Sequence, residues 1–212
     1  QGTALVGLLN AFWESKGVAN AEEFRQFSAP VVPLARFSKA VYKNNEQFTA
    51  DIEIANYSSE EINNKNIKWA LTNASGQPLQ EGIIPLTNIK IGGGNIAGKI
   101  SCSLSEVKKA ERLTLRVSIE NSSYKNTWNI WVYPATLTIE KEEIVVTDKL
   151  TETQKALAAG KTVLFNPPYQ LCAGLQGKFV PVFWSPVHFP KQAGTMGLLL
   201  DPTHKAFAHF PT

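Results

Sequence analysis

Cysteine is almost missing from this sequence: its 212 residues include two, Cys102 and Cys172. Two thiols seventy positions apart cannot staple a small disulfide scaffold, so two free cysteines are expected. Histidine is nearly as scarce, with three residues, and no Cys/His grouping has the spacing of a zinc site. Neither a metal nor any other cofactor is expected. No apolar run approaches the roughly 18 residues that a membrane-spanning helix needs, so no membrane insertion is expected. The basic excess is small, +3, and the lysines are scattered among acids. A nucleic-acid surface would show a clustered basic face, so no nucleic-acid partner is expected. The opening from Gln1 has no basic leader region and does not read as a signal peptide. The chain is expected to be a stretch of a longer or processed protein, because both ends carry patterned apolar sequence instead of polar linker.

What is present changes character twice along the chain. In the first part, Leu5, Leu8, Leu9, Phe12 and Trp13 recur at three- and four-residue steps, which predicts a helix over 3–13. Asn20 with Glu23 three residues later predicts a second, capped helix. Pro30 and Pro33 then read as a connector.

From Leu34 the period becomes two. Phe48, Ala50, Ile52 and Ile54 alternate with polar residues, and so do Leu113, Leu115, Val117 and Ile119. Further strands are expected over 37–42, 67–72, 79–85, 95–104 and 127–133. The abundant asparagines, including Asn63, Asn64, Asn66 and Asn121, read as exposed turns. Gly92-Gly93-Gly94 reads as a turn or bulge, because no helix or Lys-Ser/Thr follows to make a phosphate loop. Seven short strands in about 100 residues predict an immunoglobulin-like β-sandwich with Trp69 in its core, lacking the inter-sheet cysteines of antibody domains. The fold class expected is thus mainly β, with an N-terminal helical remnant and a partial C-terminal α/β segment. Its expected parts are 1–33, 34–134 and 135–212.

After Pro134 the expected order is strand 143–147, helix 150–159 capped by Thr151 and stopped by Gly160, then strand 161–165. That is one unit of a parallel α/β sheet. The remainder is rich in Pro, Gly and aromatics, among them Phe179, Phe183, Trp184 and Phe189.

Several passages together resemble glycoside hydrolase family 2, of the β-galactosidase-like type found in gut bacteria. The opening Gly2-Thr3-Ala4-Leu5-Val6-Gly7-Leu8-Leu9-Asn10-Ala11-Phe12-Trp13, with Glu23-Phe24-Arg25 and Pro30-Val31-Val32-Pro33-Leu34, resembles the end of the catalytic barrel. Phe48 through Tyr57, Trp69-Ala70-Leu71 and Trp128-Asn129-Ile130-Trp131-Val132-Tyr133-Pro134 resemble the sandwich after that barrel. The sequence from Glu143 is similar to the start of an amidotransferase-like α/β domain. The resemblance implies a parent enzyme that cleaves glycosidic bonds with two barrel carboxylates, outside the cytoplasm. No catalytic residue carries over: Glu14, Glu22 and Glu23 read as solvated helix residues.

The residues themselves offer two other chemistries. Gln170-Leu171-Cys172-Ala173-Gly174 could place a nucleophilic cysteine on a turn, with His188, His204 or His209 as its base. Gln170 stands where such an elbow wants Gly, and Pro167-Pro168 disturbs the turn, so an idle cysteine is the preferred reading. The aromatics of the last sandwich strand are the other candidate. Trp131 and Tyr133 share one side, and Trp128, Ile130 and Val132 share the other. If the Trp128 side is core, Trp131 and Tyr133 form an outward pair that can pack on a neighbouring domain or stack on carbohydrate. Two functions stay open at this point. One is a structural accessory region whose partners are the neighbouring domains of the parent enzyme. The other is a carbohydrate-binding module using Trp131 and Tyr133.

Overall fold

Alternation along the strands becomes inside and outside in the computed structural model, which describes residues 7–136, 144–173, 200, 201, 203–207, 210 and 211. The chain divides into two compact units, one of Gln1–Ala135 with Leu200–Thr212 and one of Thr136–Leu199.

The first unit is mainly β. Helix α1 (Ala21–Phe27) precedes eight strands: β1 (Val31–Arg36), β2 (Val41–Lys43), β3 (Gln47–Asn56), β4 (Ile62–Thr72), β5 (Pro78–Ile89), β6 (Gly92–Ser103), β7 (Glu111–Ile119) and β8 (Lys125–Tyr133). They form a three-stranded sheet in the order β1-β3-β6 and a five-stranded sheet in the order β2-β8-β7-β4-β5. All pairings are antiparallel except β2 with β8. Phe48, Ala50, Ile52 and Ile54 of β3 meet Leu113, Leu115, Val117 and Ile119 of β7 in a single buried cluster. Two sheets sharing one apolar interior is the arrangement of a β-sandwich. Each of these side chains larger than Ala50, fully buried, contributes on the order of 1.5–3 kcal/mol.

Three expectations need correction here. The apolar spacing predicts a helix over 3–13, but residues 7–13 are not helical. Asn10 is the reason: its Oδ1 accepts from the Phe12 and Glu14 N–H groups at 2.8 and 3.0 Å, and its Nδ2 donates to Glu14. That local bonding competes with the helical ladder. Leu9 and Ser15 form an antiparallel bridge instead, with Trp13 in a left-handed conformation at φ 66°. Second, the supposed connector holds strand β1, three residues ahead of the expected sandwich boundary. Pro33 is tolerated because β1 is an edge strand. Third, 37–42 is not one strand. Residues 37–40 carry the chain from the three-stranded to the five-stranded sheet, and β2 begins only at Val41.

Other local readings meet the structure directly. Asn20 caps α1 with both arms of a capping box. The glycine triplet opens β6: Asn56 pairs Gly92 and Ile54 pairs Asn95, leaving one extra residue on β6, a bulge at Gly93–Gly94. Asn121 is in a turn at φ 54°, but Asn63, Asn64 and Asn66 lie within β4. Trp69 is half-buried against the core, and its indole lies across Gly82 on β5.

In the second unit, β9 (Ile144–Thr147) and β10 (Thr162–Phe165) pair in parallel through helix α2 (Leu150–Ala158). Gly160, at φ 72°, ends the helical turn as expected. Thr151 does not cap α2. The N-cap is Lys149, whose N–H donates to the Thr147 hydroxyl at 3.1 Å, and that hydroxyl in turn donates to Glu152 at 2.7 Å. Phe179, Phe183, Trp184 and Phe189 lie outside the described residues.

A methyl group at Gly82 would sit 2.8–2.9 Å from three atoms of the Trp69 ring. Gly82→Ala is therefore expected to displace the indole and destabilise the sandwich by about 1–3 kcal/mol. Tryptophan emission and a urea midpoint check this, and an unmoved spectrum with unchanged midpoint would refute the contact.

Candidate functional site

Strand β8 settles which aromatic side is core. Asn126, Ile130 and Val132 are buried and Trp128 packs against the same cluster. Thr127, Asn129, Trp131 and Tyr133 therefore face outward, and the expected pair does share one side. The strand is pinned on both flanks. Trp131 pairs with Arg112 on β7 and Val41 on β2, while Tyr133 pairs with Lys43. The Trp131 N–H donates to the Ala40 carbonyl and the Asn44 N–H donates to the Tyr133 carbonyl, both at 2.8 Å. Neither ring stands free in water: both residues are half-buried. Tyr133 lies against Phe210, centroids 5.7 Å apart and tilted 36°, and Phe207 lies 6.5 Å from Phe210.

At the other end of the same strand, helix α1 comes down on the sheet. The Thr127 hydroxyl donates to Gln26 Oε1 at 2.7 Å, and Lys125 forms an ion pair with Glu22. Hydrogen bonding to Lys125 and its charge hold the Glu22 carboxyl below its ordinary range. A cleft of about 690 Å³ opens beside this contact, lined by Arg25, Gln26, Ser118, Tyr124 and Lys125 among others.

Between the two covered ends, β7 and β8 place Arg112 beside Trp131, Thr114 beside Asn129, and Arg116 beside Thr127. Thr114 Oγ1 donates to Asn129 Oδ1 at 3.0 Å. Sequence reading missed Arg112, Arg116 and Asn129 as neighbours of the aromatic pair. The signal was available in part: Arg112, Thr114 and Arg116 alternate with the apolar positions of β7, so they had to face outward. The pairing register of β7 with β8 was not legible.

The cysteine alternatives resolve differently. Both cysteines are free. Cys102 is buried in the sandwich, and burial alone pushes its thiol up to about 11. Cys172 is exposed and follows a single 3-10 turn, Tyr169–Leu171, not a strand-to-helix turn. Its Sγ contacts the Pro168 carbonyl at 3.8 Å. His204 lies in a turn, its N–H donating to the Asp201 carbonyl, while His188 and His209 lie outside the described residues. Among the described residues no group of three His, Cys, Asp or Glu could hold a metal ion, and no helix is long and apolar enough to cross a membrane. Glu22 and Glu23 sit in the first turn of α1, but Glu14 is an exposed residue of the irregular opening.

Comparison with known proteins matches residues 46–134 to DUF8488 and residues 145–212 to DUF8487, each a domain of unknown function. No curated protein matches the chain. Among solved structures, the chain is weakly similar to the alkylpurine DNA glycosylase AlkC of Pseudomonas fluorescens. That likeness has 10% identity and TM-score 0.36, over 50% of this chain and 31% of that one. A β-glucuronidase of Parabacteroides merdae gives 12% identity and TM-score 0.32, over 48% of this chain and 13% of that one. A family 123 glycoside hydrolase from Clostridium perfringens gives 10% and 0.31, over 56% and 30%. The chain spans less than a third of the length of each of these three structures.

A thiol reagent is expected to label Cys172 alone in the folded protein, and both cysteines once the chain is denatured. Raising the pH toward 9 should leave Cys102 unlabelled, since burial keeps its thiolate unfavourable well above that value. Rapid labelling of both thiols under native conditions would contradict the placement of Cys102.

Proposed function

We propose that this chain is a non-catalytic accessory region of a glycoside hydrolase that acts outside the cytoplasm, with an immunoglobulin-like sandwich as its rigid centre. In this reading the residues before β1 are the end of a catalytic barrel with its connector. The sandwich runs from β1, beginning at Val31, to residue 134, and 135–212 open an amidotransferase-like α/β domain. Its partners are the neighbouring domains of the parent enzyme. The link to a glycoside hydrolase is supported by the ordered resemblance of residues 2–34, 48–57 and 128–134 to family 2 sequences.

The accessory role draws most on one observation: the outward ring of Tyr133 is half-buried and lies against Phe210, a residue far along the chain. A surface built to stack sugars would hold that ring open. A surface built to fix adjoining polypeptide covers it, and packed aromatic pairs contribute about 0.5–1.5 kcal/mol beyond the area they bury. The alternative, a module that holds polysaccharide near an active site, draws on Trp131 and its polar neighbours.

A double-mutant cycle tests the packing role. Tyr133→Ala and Phe210→Ala should each lower the melting temperature by a few degrees, about 2–4 °C per kcal/mol at this size. The double variant should lose less than the sum. Strict additivity would show that the two rings do not couple and would remove the main support for the spacer. The chain should also turn over none of a panel of aryl β-glycosides; steady release of aryl product would overturn the non-catalytic assignment.

A further inference from the structure

Ahead of the sandwich, Phe12 and Trp13 stand in water, 74% and 83% exposed. They sit at the tip of a short loop whose base is the bridge between Leu9 and Ser15. The loop is bonded throughout. The Asn10 N–H donates to the Glu14 carbonyl at 2.9 Å, the Trp13 N–H to the Asn10 carbonyl at 3.1 Å, and the Lys16 N–H to the Leu8 carbonyl at 3.1 Å. The Asn10 side chain ties Phe12 and Glu14 from within. Trp13 holds φ 66°, a conformation that bulky residues rarely adopt. The two rings are thus held out by a braced loop.

Beside them lies an open apolar recess of about 770 Å³, lined by Leu8, Leu9, Ser15, Ala19, Ala21 and Phe24 among others. Leu9 and Ser15, the base of the loop, are part of its wall, but Phe12 and Trp13 are not. Apolar rings and an apolar hollow therefore adjoin without filling one another. Phe24 of the recess meets Phe27 edge to face at 5.2 Å, and Phe27 is 61% exposed. At roughly 150–250 Å² per aromatic side chain, Phe12, Trp13, Phe24 and Phe27 leave about 400–600 Å² of ring surface in water. Exposed Leu9 and Val18 add to it. That approaches the roughly 800 Å² per partner of a specific protein interface.

The chemistry favours a dry polypeptide partner. Asn10 and Glu14, the polar side chains that flank the rings, bond to each other and to the loop, so they are not poised for sugar hydroxyls. Residues 7–27 carry three carboxylates, Glu14, Glu22 and Glu23, against Lys16 and Arg25, so no basic rim draws them to an anionic membrane. One molecule presents both a ring to insert and a hollow to receive it, and a two-fold pairing satisfies both at once.

We propose that two copies of this chain pair through this surface, the Trp13 ring of each seated in the recess of the other beneath Phe24. The contact goes beyond the accessory reading and does not rest on it, because it uses neither Tyr133 and Phe210 nor any carbohydrate.

The test is sedimentation of the full chain from micromolar to near-millimolar concentration. A reversible monomer–dimer equilibrium is expected, with tryptophan emission moving to shorter wavelength as the dimer forms. Trp13→Ala should weaken dimerisation by about tenfold or more. Ala21→Glu puts a carboxylate in the recess and should weaken it likewise; it lies in the first turn of α1, where an acidic residue suits the helix. Unchanged melting temperatures for both monomers confirm folding. Mixed together, the two variants should form a heterodimer that neither matches alone, since the intact Trp13 of one meets the intact recess of the other. A chain that stays monomeric at every concentration would overturn the proposal and leave the surface to an adjoining domain. So would full-strength dimerisation of Trp13→Ala, or no heterodimer in the mixture. None of these outcomes bears on the coupling of Tyr133 to Phe210, which is read within one chain.

Discussion

One constraint governs the sandwich: two sheets close over a single apolar interior, so every strand must send alternate residues inward. Phe48, Ile52 and Ile54 from one sheet and Leu113, Leu115 and Val117 from the other are almost wholly removed from solvent. A one-residue slip in either strand would turn its whole apolar set out to water. The outward side is fixed by the same requirement. Once Leu113, Leu115 and Val117 point inward, Arg112, Thr114 and Arg116 have nowhere to go but out. Once Ile130 and Val132 point inward, so must Trp131 and Tyr133 point out. The core thus positions the candidate surface without touching it, and a core substitution that shifted the register would dismantle both together.

The second requirement is that the sandwich must satisfy its backbone where strands leave their ladders. Asparagine side chains do this. Asn56, fully buried, donates to the Glu60 and Ile89 carbonyls and accepts from Ser58. Asn95 donates to the carbonyls of Ile54, Lys90 and Gly92 around the bulge that the glycines open. Asn126 reaches from β8 in one sheet to the Pro33 carbonyl of β1 in the other, at 3.0 Å. An amide side chain supplies both donors and an acceptor in a small volume, which suits these irregular joints. Leaving such a buried group without its partner costs about 1–3 kcal/mol. Among the described residues no buried side-chain polar atom lacks a hydrogen bond.

These two requirements explain what the sequence could and could not reveal. Period-two alternation around Phe48 and Leu113 is a local signal, and it located β3 and β7 and their inner faces. The strand–helix–strand order after Pro134 was legible for the same reason, each element carrying its own pattern and Gly160 its own stop. Asparagine misled, because its joint-making role depends on partners far away in sequence; Asn66, read as a turn residue, lies in β4 and donates to Glu120. The apolar spacing over 3–13 also misled, since Asn10 bonds locally to Phe12 and Glu14 and takes the backbone out of the helix. Trp131 and Tyr133 were legible as a pair on one side. Their surroundings were not: Arg112 reaches Trp131 only through the pairing of β7 with β8, and Phe210 is seventy-seven positions from Tyr133.

Two ion pairs, Lys68 with Glu120 and Lys125 with Glu22, set part of the charge on the outward side. Lys68 and Asn66 hydrogen-bond the Glu120 carboxylate and hold it below the ordinary carboxylate range, and Lys125 does the same for Glu22. A depressed carboxyl contributes stability above its unfolded value and loses that contribution as pH falls through its folded one. Both pairs are exposed to solvent, so their share of stability is small. At neutral pH the two carboxylates offset Lys68 and Lys125. In acid the glutamates lose their charge while the bases keep theirs, and this side of the sheet becomes more positive. The two pairs therefore support the folded sheet where Glu22 and Glu120 are ionised.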